Sequence, residues 1–101
     1  PRSLLKKEIP EIQKIIWGKD VPEHISKHKV TMDEAEIVIR SDTLILEGHS
    51  KRKILVNRLA SRIISVIVEI KGNKLIVFTA RDASQIERNK FYEYEKIKNR
   101  T

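Results

Sequence analysis

The stretch FTARDASQIER, from Phe78 to Arg88, decides the C-terminal part of the fold, because a β-branched strand passes directly into a helix there. Residues Leu75 to Ala80 are typical of a buried strand. Ser84, followed three residues later by Glu87, matches the capping box that begins many helices. The sequence therefore predicts a strand that ends near Arg81 and a helix that begins immediately afterwards.

Arg81 is the residue of this junction that most needs an explanation. It stands at a strand end, beside the positive end of a helix dipole that disfavours a nearby cation. An arginine placed there is expected to bind either a carboxylate of the protein or the phosphate of a ligand. The junction therefore predicts an anion site at Arg81.

Towards the N-terminus, the pattern predicts two further helices in a single domain that spans residues 1–101. Asp20 is the predicted cap of a short helix that runs to about His28. Thr31 and Glu34 form a second capping box, which opens a helix through Arg40. The buried stripe of this helix is predicted to contain Met32, Ala35 and Ile39. Residues 1–11 are predicted to be a short helix or a loose arm.

Between these helices and the junction, the period of the hydrophobic pattern changes to that of strands. Short loops between the predicted strands, including a tight turn at Lys71–Lys74, favour an antiparallel meander. The fold class predicted is α+β, with a four- or five-stranded antiparallel sheet, helices packed mainly on one face and a C-terminal helix. The predicted strands are Ile12–Trp17, Leu44–Glu47, Arg52–Leu59, Arg62–Ile70 and Lys74–Ala80.

Alternation along the strands predicts which sheet face is buried. One face of the fourth strand is wholly apolar, and we expect Ile76, Phe78 and Ala80 of the next strand to continue that face beneath helices. The opposite face mixes apolar residues with arginine, serine and threonine. Such a face suits phosphate binding, and a half-solvated sheet shows the same alternation. The C-terminal helix is predicted to lay five residues on the sheet, namely Ala83, Ile86, Phe91, Tyr94 and Ile97.

The charge of the chain is positive and unevenly distributed. There are 21 lysines and arginines against 14 aspartates and glutamates, and residues 51–101 hold 13 of the basic groups but only 5 acidic ones. This asymmetry favours a polyanion or an acidic protein as the partner, although basic surfaces also serve solubility alone. The densest basic cluster consists of Lys51, Arg52, Lys53, Arg58 and Arg62.

Several chemistries are disfavoured by composition. The chain has no cysteine, so disulfides and thiolate metal sites are excluded, and a cytoplasmic location is expected. No apolar run approaches the ~18 residues of a membrane span. His24 and His28 lie four residues apart, but His24 is not followed by the glutamate of the H-E-x-x-H motif, and no third ligand is evident. We therefore expect no metal and no cofactor.

The order of motifs along residues 15–96 resembles the BrnT family of toxin ribonucleases. The matching segments are Ile16-Trp17, Lys27 to Val30, Asp33 to Ala35, His49-Ser50 with Arg52, and the junction in which Glu87 follows Arg81 by six residues. The chain departs from the family pattern at Lys51, where an acidic residue is usual, at Asn57, where glycine is usual, and at Phe91, where tyrosine is usual.

This resemblance implies a RelE-like toxin fold and a ribonuclease toxin of a type II toxin-antitoxin pair. It implies metal-independent RNA cleavage, in which the ribose 2′-hydroxyl attacks the adjacent phosphate. The implied partner is an acidic, DNA-binding antitoxin that covers the basic face, so DNA is bound only through the antitoxin. The alternative is a catalytically silent basic module that binds nucleic acid or an acidic protein.

Cleavage of this kind needs stabilisation of phosphoryl charge and proton transfer. Arginine suits the first task because its planar fork stays protonated, and histidine titrates near neutrality. The candidate catalytic residues are Arg81, Arg58, Arg52, His49 and Glu87. The candidate RNA-binding residues are Lys51, Lys53, Arg62, Lys27, His28, Arg88 and Tyr92.

Four of the singled-out residues have competing interpretations. Glu87 is predicted either to cap its helix, to pair with Arg81 or to act as a base. His28 either caps helix carbonyls or takes part in catalysis. His49 is either functional or merely exposed on its loop. Trp17 is expected in the core rather than as a base-stacking platform.

Overall fold

The computed structural model of the protein describes residues 14–99, which form five strands and three helices. The predicted helix or arm over residues 1–11 lies outside the described residues, as does the start of the first predicted strand. The elements are β1 (Lys14–Trp17), α1 (Val21–Ser26), α2 (Met32–Arg40), β2 (Leu44–Glu47), β3 (Arg52–Leu59), β4 (Arg62–Lys71), β5 (Lys74–Asp82) and α3 (Gln85–Asn99).

The strands form one sheet in the order β1-β5-β4-β3-β2. Strands β2 to β5 pair antiparallel with their chain neighbours, which confirms the predicted meander. β1 pairs with β5 in parallel, so the sheet is mixed. The long connection from β1 to β5, which includes α1, α2 and three strands, permits this parallel pairing. The predicted α+β fold with a C-terminal helix is confirmed.

Two tight turns join the three longest strands. Gly72 has a φ of 61° in the predicted turn between β4 and β5, a conformation that glycine adopts at little cost. The turn between β3 and β4 places Ala60 in the same left-handed region, with a φ of 56°. Because Ala60 carries a Cβ, this second turn holds backbone strain that a glycine would relieve.

The inner face of the sheet, which we define as the face covered by α1 and α2, contains the larger apolar core. Ile25, Val38 and Ala35 of the two helices pack there against fully buried strand residues, with Trp17 at the margin as expected for a core tryptophan. Leu55, Ile64, Val66, Val68, Leu75, Val77 and Ala80 are the strand residues of this core.

A β-bulge in β5 makes one prediction wrong. Between β4 residues Ile67 and Val68 the partner in β5 changes from Thr79 to Val77, so Phe78 is an extra residue. The extra residue inverts the alternation of β5. Val77 therefore enters the inner core, while Phe78 and Ile76 lie on the other side of the sheet rather than beneath α1 and α2.

α3 packs on this outer face, which is the face opposite α1 and α2. Phe91, only 2% exposed, and Tyr94 contact a second apolar cluster that includes Val56 and Ile63. The prediction that Ile86 and Ile97 also pack on the sheet is wrong, since they are 69% and 66% exposed. At about 100° of rotation per residue, both lie on the side of the helix away from Phe91.

The N-terminal helices differ from prediction in smaller ways. Thr31 and Glu34 form the predicted capping box of α2, with both hydrogen bonds present. Met32 is 37% exposed instead of buried, and Val38 completes the stripe. α1 ends at Ser26, and Asp20 makes no side-chain capping bond.

We predict that Ala60→Gly stabilises the protein by about 0.5–1 kcal/mol, because relief of the left-handed strain exceeds the extra chain entropy of glycine. Chemical denaturation of both proteins measures the difference. Ser61→Gly is the matched control, since Ser61 in the same turn has no positive φ and only the entropy cost applies. Equal effects of the two substitutions would contradict a strained Ala60.

Candidate functional site

The outer face is divided into a covered part and an open part. α3 covers the part around Val56 and Ile63. Further along the same strands, partly or fully exposed outer-face residues lie outside the apolar cluster beneath α3. We call these residues the open strip; they are Arg52, Ile67, Glu69, Ile76, Phe78 and Thr79.

Arg81 lies at the border between the two parts and is fixed by Glu87. Arg81 Nη1 donates to Glu87 Oε1 at 2.8 Å and Nη2 donates to Oε2 at 3.0 Å. Glu87 Oε1 also accepts from Ser65 Oγ at 2.8 Å and from the Ser84 backbone N–H at 2.9 Å. Glu87 N donates to Ser84 Oγ at 3.2 Å, which completes the predicted capping box.

The capping and ion-pair interpretations of Glu87 are therefore both correct, because one carboxylate makes both sets of bonds. Burial alone raises the pKa of Glu87, but Arg81, the Ser84 N–H and the Ser65 hydroxyl outweigh burial and lower the pKa to about 2. A carboxylate this acidic is a poor proton acceptor at neutral pH. The geometry therefore favours Glu87 as the residue that positions Arg81 over Glu87 as a base.

Arg81 keeps part of its hydrogen-bonding capacity. Its Nη1 and one Nη2 hydrogen bind Glu87, and Nη1 also donates to the Asp82 carbonyl at 3.2 Å. Within residues 14–99, the Nε–H and the second Nη2 hydrogen have no partner. These two donors share one edge of the planar guanidinium, so that edge can bind an oxyanion in the bidentate manner. The side chain is 33% exposed, which leaves it within reach of a ligand.

Arg58 also lies on the outer face, where Glu95 of α3 binds it. Arg58 Nε and Nη2 donate to the two Glu95 oxygens at 2.9 Å each. The hydrogen bond from Arg58 lowers the pKa of Glu95. Tyr92 is 43% exposed on the adjoining part of α3. A phosphate must displace Glu95 to use the same two donors of Arg58.

Arg52 has a different environment from the other two arginines. Its guanidinium carbon lies 4.2 Å from the centroid of the Phe78 ring, in a cation–π contact. The residue is exposed, and its side chain makes no ion pair or hydrogen bond within the described part of the chain. Among the arginines of the described strands, Arg52 is therefore the one whose whole guanidinium lacks a carboxylate partner.

His49 and Lys51 lie in the loop that joins β2 to β3, next to Arg52. The backbone N–H of Arg52 donates to the His49 carbonyl at 3.0 Å, and both loop residues are exposed. The structure therefore places His49, Lys51 and Arg52 at one end of the sheet. Of the three histidines in the sequence, His49 is the one at this end.

The structure separates the remaining basic candidates from this group. Arg62 pairs with Asp82 at 2.9 Å and donates to the His28 and Lys29 carbonyls at 3.2 and 2.7 Å, so it ties α1 to the sheet. Seven residues of β4 separate Arg62 from the position opposite Arg52, roughly 23 Å at ~3.3 Å per residue. Lys27, His28 and Arg62 therefore lie away from Arg52, and their contact with RNA stays a prediction.

The predicted basic cluster is also less positive in space than in sequence. Lys53 alternates to the side of the sheet opposite Arg52 and pairs with Glu47. Arg58 and Arg62 pair with Glu95 and Asp82 as described above. Charge runs in a sequence do not reveal these pairings, because the carboxylates come from distant elements.

Arg88, a candidate RNA contact, and Phe91, a departure from the family pattern, differ in accessibility to a ligand. Arg88 Nη2 donates to Gln85 Oε1 at 3.1 Å and the side chain is partly exposed. Phe91 occupies the position at which the family pattern has tyrosine, and it packs against Tyr94 with ring centroids 5.8 Å apart. The ring therefore has a packing role here, which phenylalanine fulfils without a hydroxyl.

Sequence reasoning did not identify Ser65 or Glu95 as site residues, and it placed Phe78 on the wrong face. Ser65 lies opposite Arg81 in the β4–β5 ladder, which only the register reveals. The position of Phe78 on the outer face depends on the β-bulge in β5. Glu95 follows Tyr92 by three residues on α3, and helical spacing was the one available signal for it.

A metal centre or a membrane-spanning helix finds no support within residues 14–99. No group of three histidine, aspartate or glutamate side chains there could hold a metal ion. The three helices in that range are too short or too polar to cross a bilayer.

Comparison with solved structures places a bacterial ribonuclease toxin among the proteins that this chain resembles. The crystal structure of the Brucella abortus ribonuclease toxin BrnT matches with a TM-score of 0.57 and 26% sequence identity, over 71% of this chain and 97% of that protein. No protein-family model and no curated protein sequence matches the chain. The structural match confirms the resemblance to the BrnT family and the fold expected from it.

We predict that Glu87→Gln destabilises the protein by about 2 kcal/mol at neutral pH, because it leaves Arg81 without its buried counter-charge. The pKa of Glu87 is lowered from 4.5 to about 2 on folding, so its stabilising effect is complete above pH 4.5 and is lost as the pH falls towards 2. The stability difference between the two proteins should therefore shrink over that range. Urea denaturation at each pH measures it.

Glu93→Gln is the matched control, since Glu93 is an exposed carboxylate on the same helix. This variant should match the wild type throughout the pH series. A Glu87→Gln protein as stable as the wild type at neutral pH would show that the ion pair contributes nothing to folding.

Proposed function

We propose that this protein is a ribonuclease toxin that cleaves RNA without a metal ion, through attack of the ribose 2′-hydroxyl on the adjacent phosphate. The observation that carries the proposal is the pairing of Arg81 with Glu87, which leaves the Nε–H and one Nη2 hydrogen of the guanidinium without a partner within residues 14–99. The similarity to the Brucella abortus ribonuclease toxin supports the same conclusion.

Arg81 is the proposed stabiliser of the phosphoryl charge. Glu87 holds one edge of the guanidinium, so the other edge is fixed before RNA binds and needs little reorganisation during the reaction. Its two free donors match two non-bridging oxygens of a phosphate. Arg58 can contribute a second cation when phosphate competes with Glu95 for it, and Arg52 binds RNA in the open strip.

Proton transfer is assigned to His49. His49 is exposed in the loop that joins β2 to β3, and its carbonyl accepts from the Arg52 N–H at the end of the sheet where RNA on the open strip would lie. An imidazole can both accept and donate a proton, which suits the exchange of a proton with the 2′-hydroxyl or the leaving group. Glu87 remains a positioning residue in this scheme. Lys51, Arg88 and Tyr92 are proposed RNA contacts at the edges of the site.

The proposed partner is an acidic antitoxin that binds DNA and covers the basic surface of this protein. The excess of basic over acidic residues in positions 51–101 supports an acidic partner. DNA is then bound by the complex through the antitoxin. Such a partner inhibits by occupying the open strip.

A binding module without catalytic activity is the alternative. It is favoured by the ion pairs of Arg58 and Arg81, because both arginines already have a carboxylate partner within the chain. Cleavage and binding can be separated with one assay, since only cleavage produces new RNA ends.

We predict that the purified wild-type protein cleaves single-stranded RNA in EDTA and leaves 2′,3′-cyclic phosphate ends. Arg81→Lys should lower the cleavage rate roughly 100- to 1000-fold, because lysine retains the charge but lacks the planar fork. RNA end analysis and initial rates measure both effects. 2′-O-methyl RNA should be resistant, because its attacking hydroxyl is blocked.

Arg40→Lys is the matched control, since Arg40 lies on α2 and pairs with Glu36 at 2.9 Å, away from the outer face. Its cleavage rate should equal that of the wild type. A folded wild-type protein that binds RNA and produces no new ends would support the binding-module alternative.

A further inference from the structure

We infer that Arg52 and Phe78 form a platform on which an unpaired nucleobase of single-stranded RNA stacks. This inference rests on the proposed function and assigns a role to a part of the open strip that the reaction itself does not need. The base would lie on the guanidinium of Arg52, which in turn lies on the Phe78 ring.

The β-bulge places Phe78 on the outer face. Without the extra residue, alternation would put Phe78 on the inner face with Ala80. With it, the ring is partly exposed beside Arg52, at 4.2 Å from the guanidinium carbon. Bulges often re-aim a side chain beside a functional site.

Arg52 differs from the other sheet arginines in having no carboxylate partner. Arg58, Arg62 and Arg81 each bind a carboxylate with two hydrogen bonds or more. Arg52 is exposed, and within residues 14–99 its guanidinium lies over the Phe78 ring without an ion pair or a hydrogen bond. The ring covers part of the guanidinium, and the exposure of the residue leaves the rest accessible to a ligand. Guanidinium planes and aromatic rings are the surfaces on which proteins stack RNA bases.

The surroundings of the platform are partly charged and partly apolar. Glu69 lies directly opposite Arg52 in the β3–β4 ladder, on the same face, and is paired with Lys71 at 3.6 Å, which offsets its charge. The Phe78 ring offers a base, but not a phosphate, an aromatic stacking surface. Ile67 and Ile76 add apolar surface around the platform.

The platform lies at a useful distance from Arg81. Phe78 precedes Arg81 by three residues on β5, which corresponds to about 10 Å along the strand. A short length of single-stranded RNA can span that distance. The platform can therefore hold a base that neighbours the cleaved phosphate and fix the position of the chain on the sheet.

The test measures binding of a 2′-O-methyl oligonucleotide, which cannot be cleaved, by fluorescence anisotropy. Phe78→Leu removes the ring but keeps apolar volume, and Arg52→Lys keeps the charge but removes the plane. Each should weaken binding between about 5-fold and about 150-fold, the range for loss of one stacked base. Phe78→Trp should retain the wild-type affinity, because tryptophan also binds cations through its ring.

Single abasic substitutions in the oligonucleotide identify the stacked base. An abasic substitution at one position should weaken binding to the wild type by the same factor. The same substitution should have little further effect on binding to Phe78→Leu or Arg52→Lys. Arg40→Lys is the control and should behave as the wild type. Unaltered affinity in folded Arg52→Lys, or an abasic effect that persists in both variants, would overturn the platform.

Cleavage of unmodified RNA by the wild type, measured in parallel, separates this inference from the proposed function. Binding that depends on one base, without cleavage, would reject the ribonuclease and retain the platform. Cleavage together with normal binding by both variants would reject the platform alone. A wild-type protein that does not bind the oligonucleotide but cleaves RNA would also reject the platform alone, and one that does neither would reject both.

Discussion

The ion pair between Arg81 and Glu87 is the interaction on which the rest of the outer face depends. It joins the end of β5 to the first turn of α3, and Ser65 adds β4 to the same network. Glu87 is only 7% exposed, so its charge needs these partners in order to remain ionised. The direction in which α3 leaves the sheet is therefore coupled to the position of the arginine that would contact a phosphate.

This coupling explains how a protein with a small core can keep a charged site in order. α3 contacts the sheet mainly through Phe91 and Tyr94, which is little apolar surface for a helix of 15 residues. The polar contacts at its N-terminus, together with the Arg58–Glu95 pair further along, fix the helix where the apolar contacts are sparse. An arginine that holds α3 on the sheet can therefore also belong to the candidate site.

Local signals in the sequence predicted much of the fold. The capping boxes at Thr31 and Ser84 and the glycine turn at Gly72 are formed by neighbouring residues, so a single sequence is enough to find them. The parallel pairing of β1 and the partners of Arg58 and Arg62 involve residues far apart in the chain, which the local pattern does not encode. Arg81 was identified as an anion site because its conflict with the helix dipole is itself a local feature.

The β-bulge at Phe78 shifts the alternation of β5 by one residue, so the positions that face the inner core differ before and after it. Before the bulge, the odd-numbered residues Leu75 and Val77 are buried on the inner face. After the bulge, the even-numbered residue Ala80 is buried there instead. A relative that lacks the extra residue can therefore keep the same core while aligning poorly over this strand. Structural superposition is therefore a better measure of similarity between such proteins than sequence alignment. Deletion of a single residue in β5 would exchange the side chains that lie on the outer face of this strand.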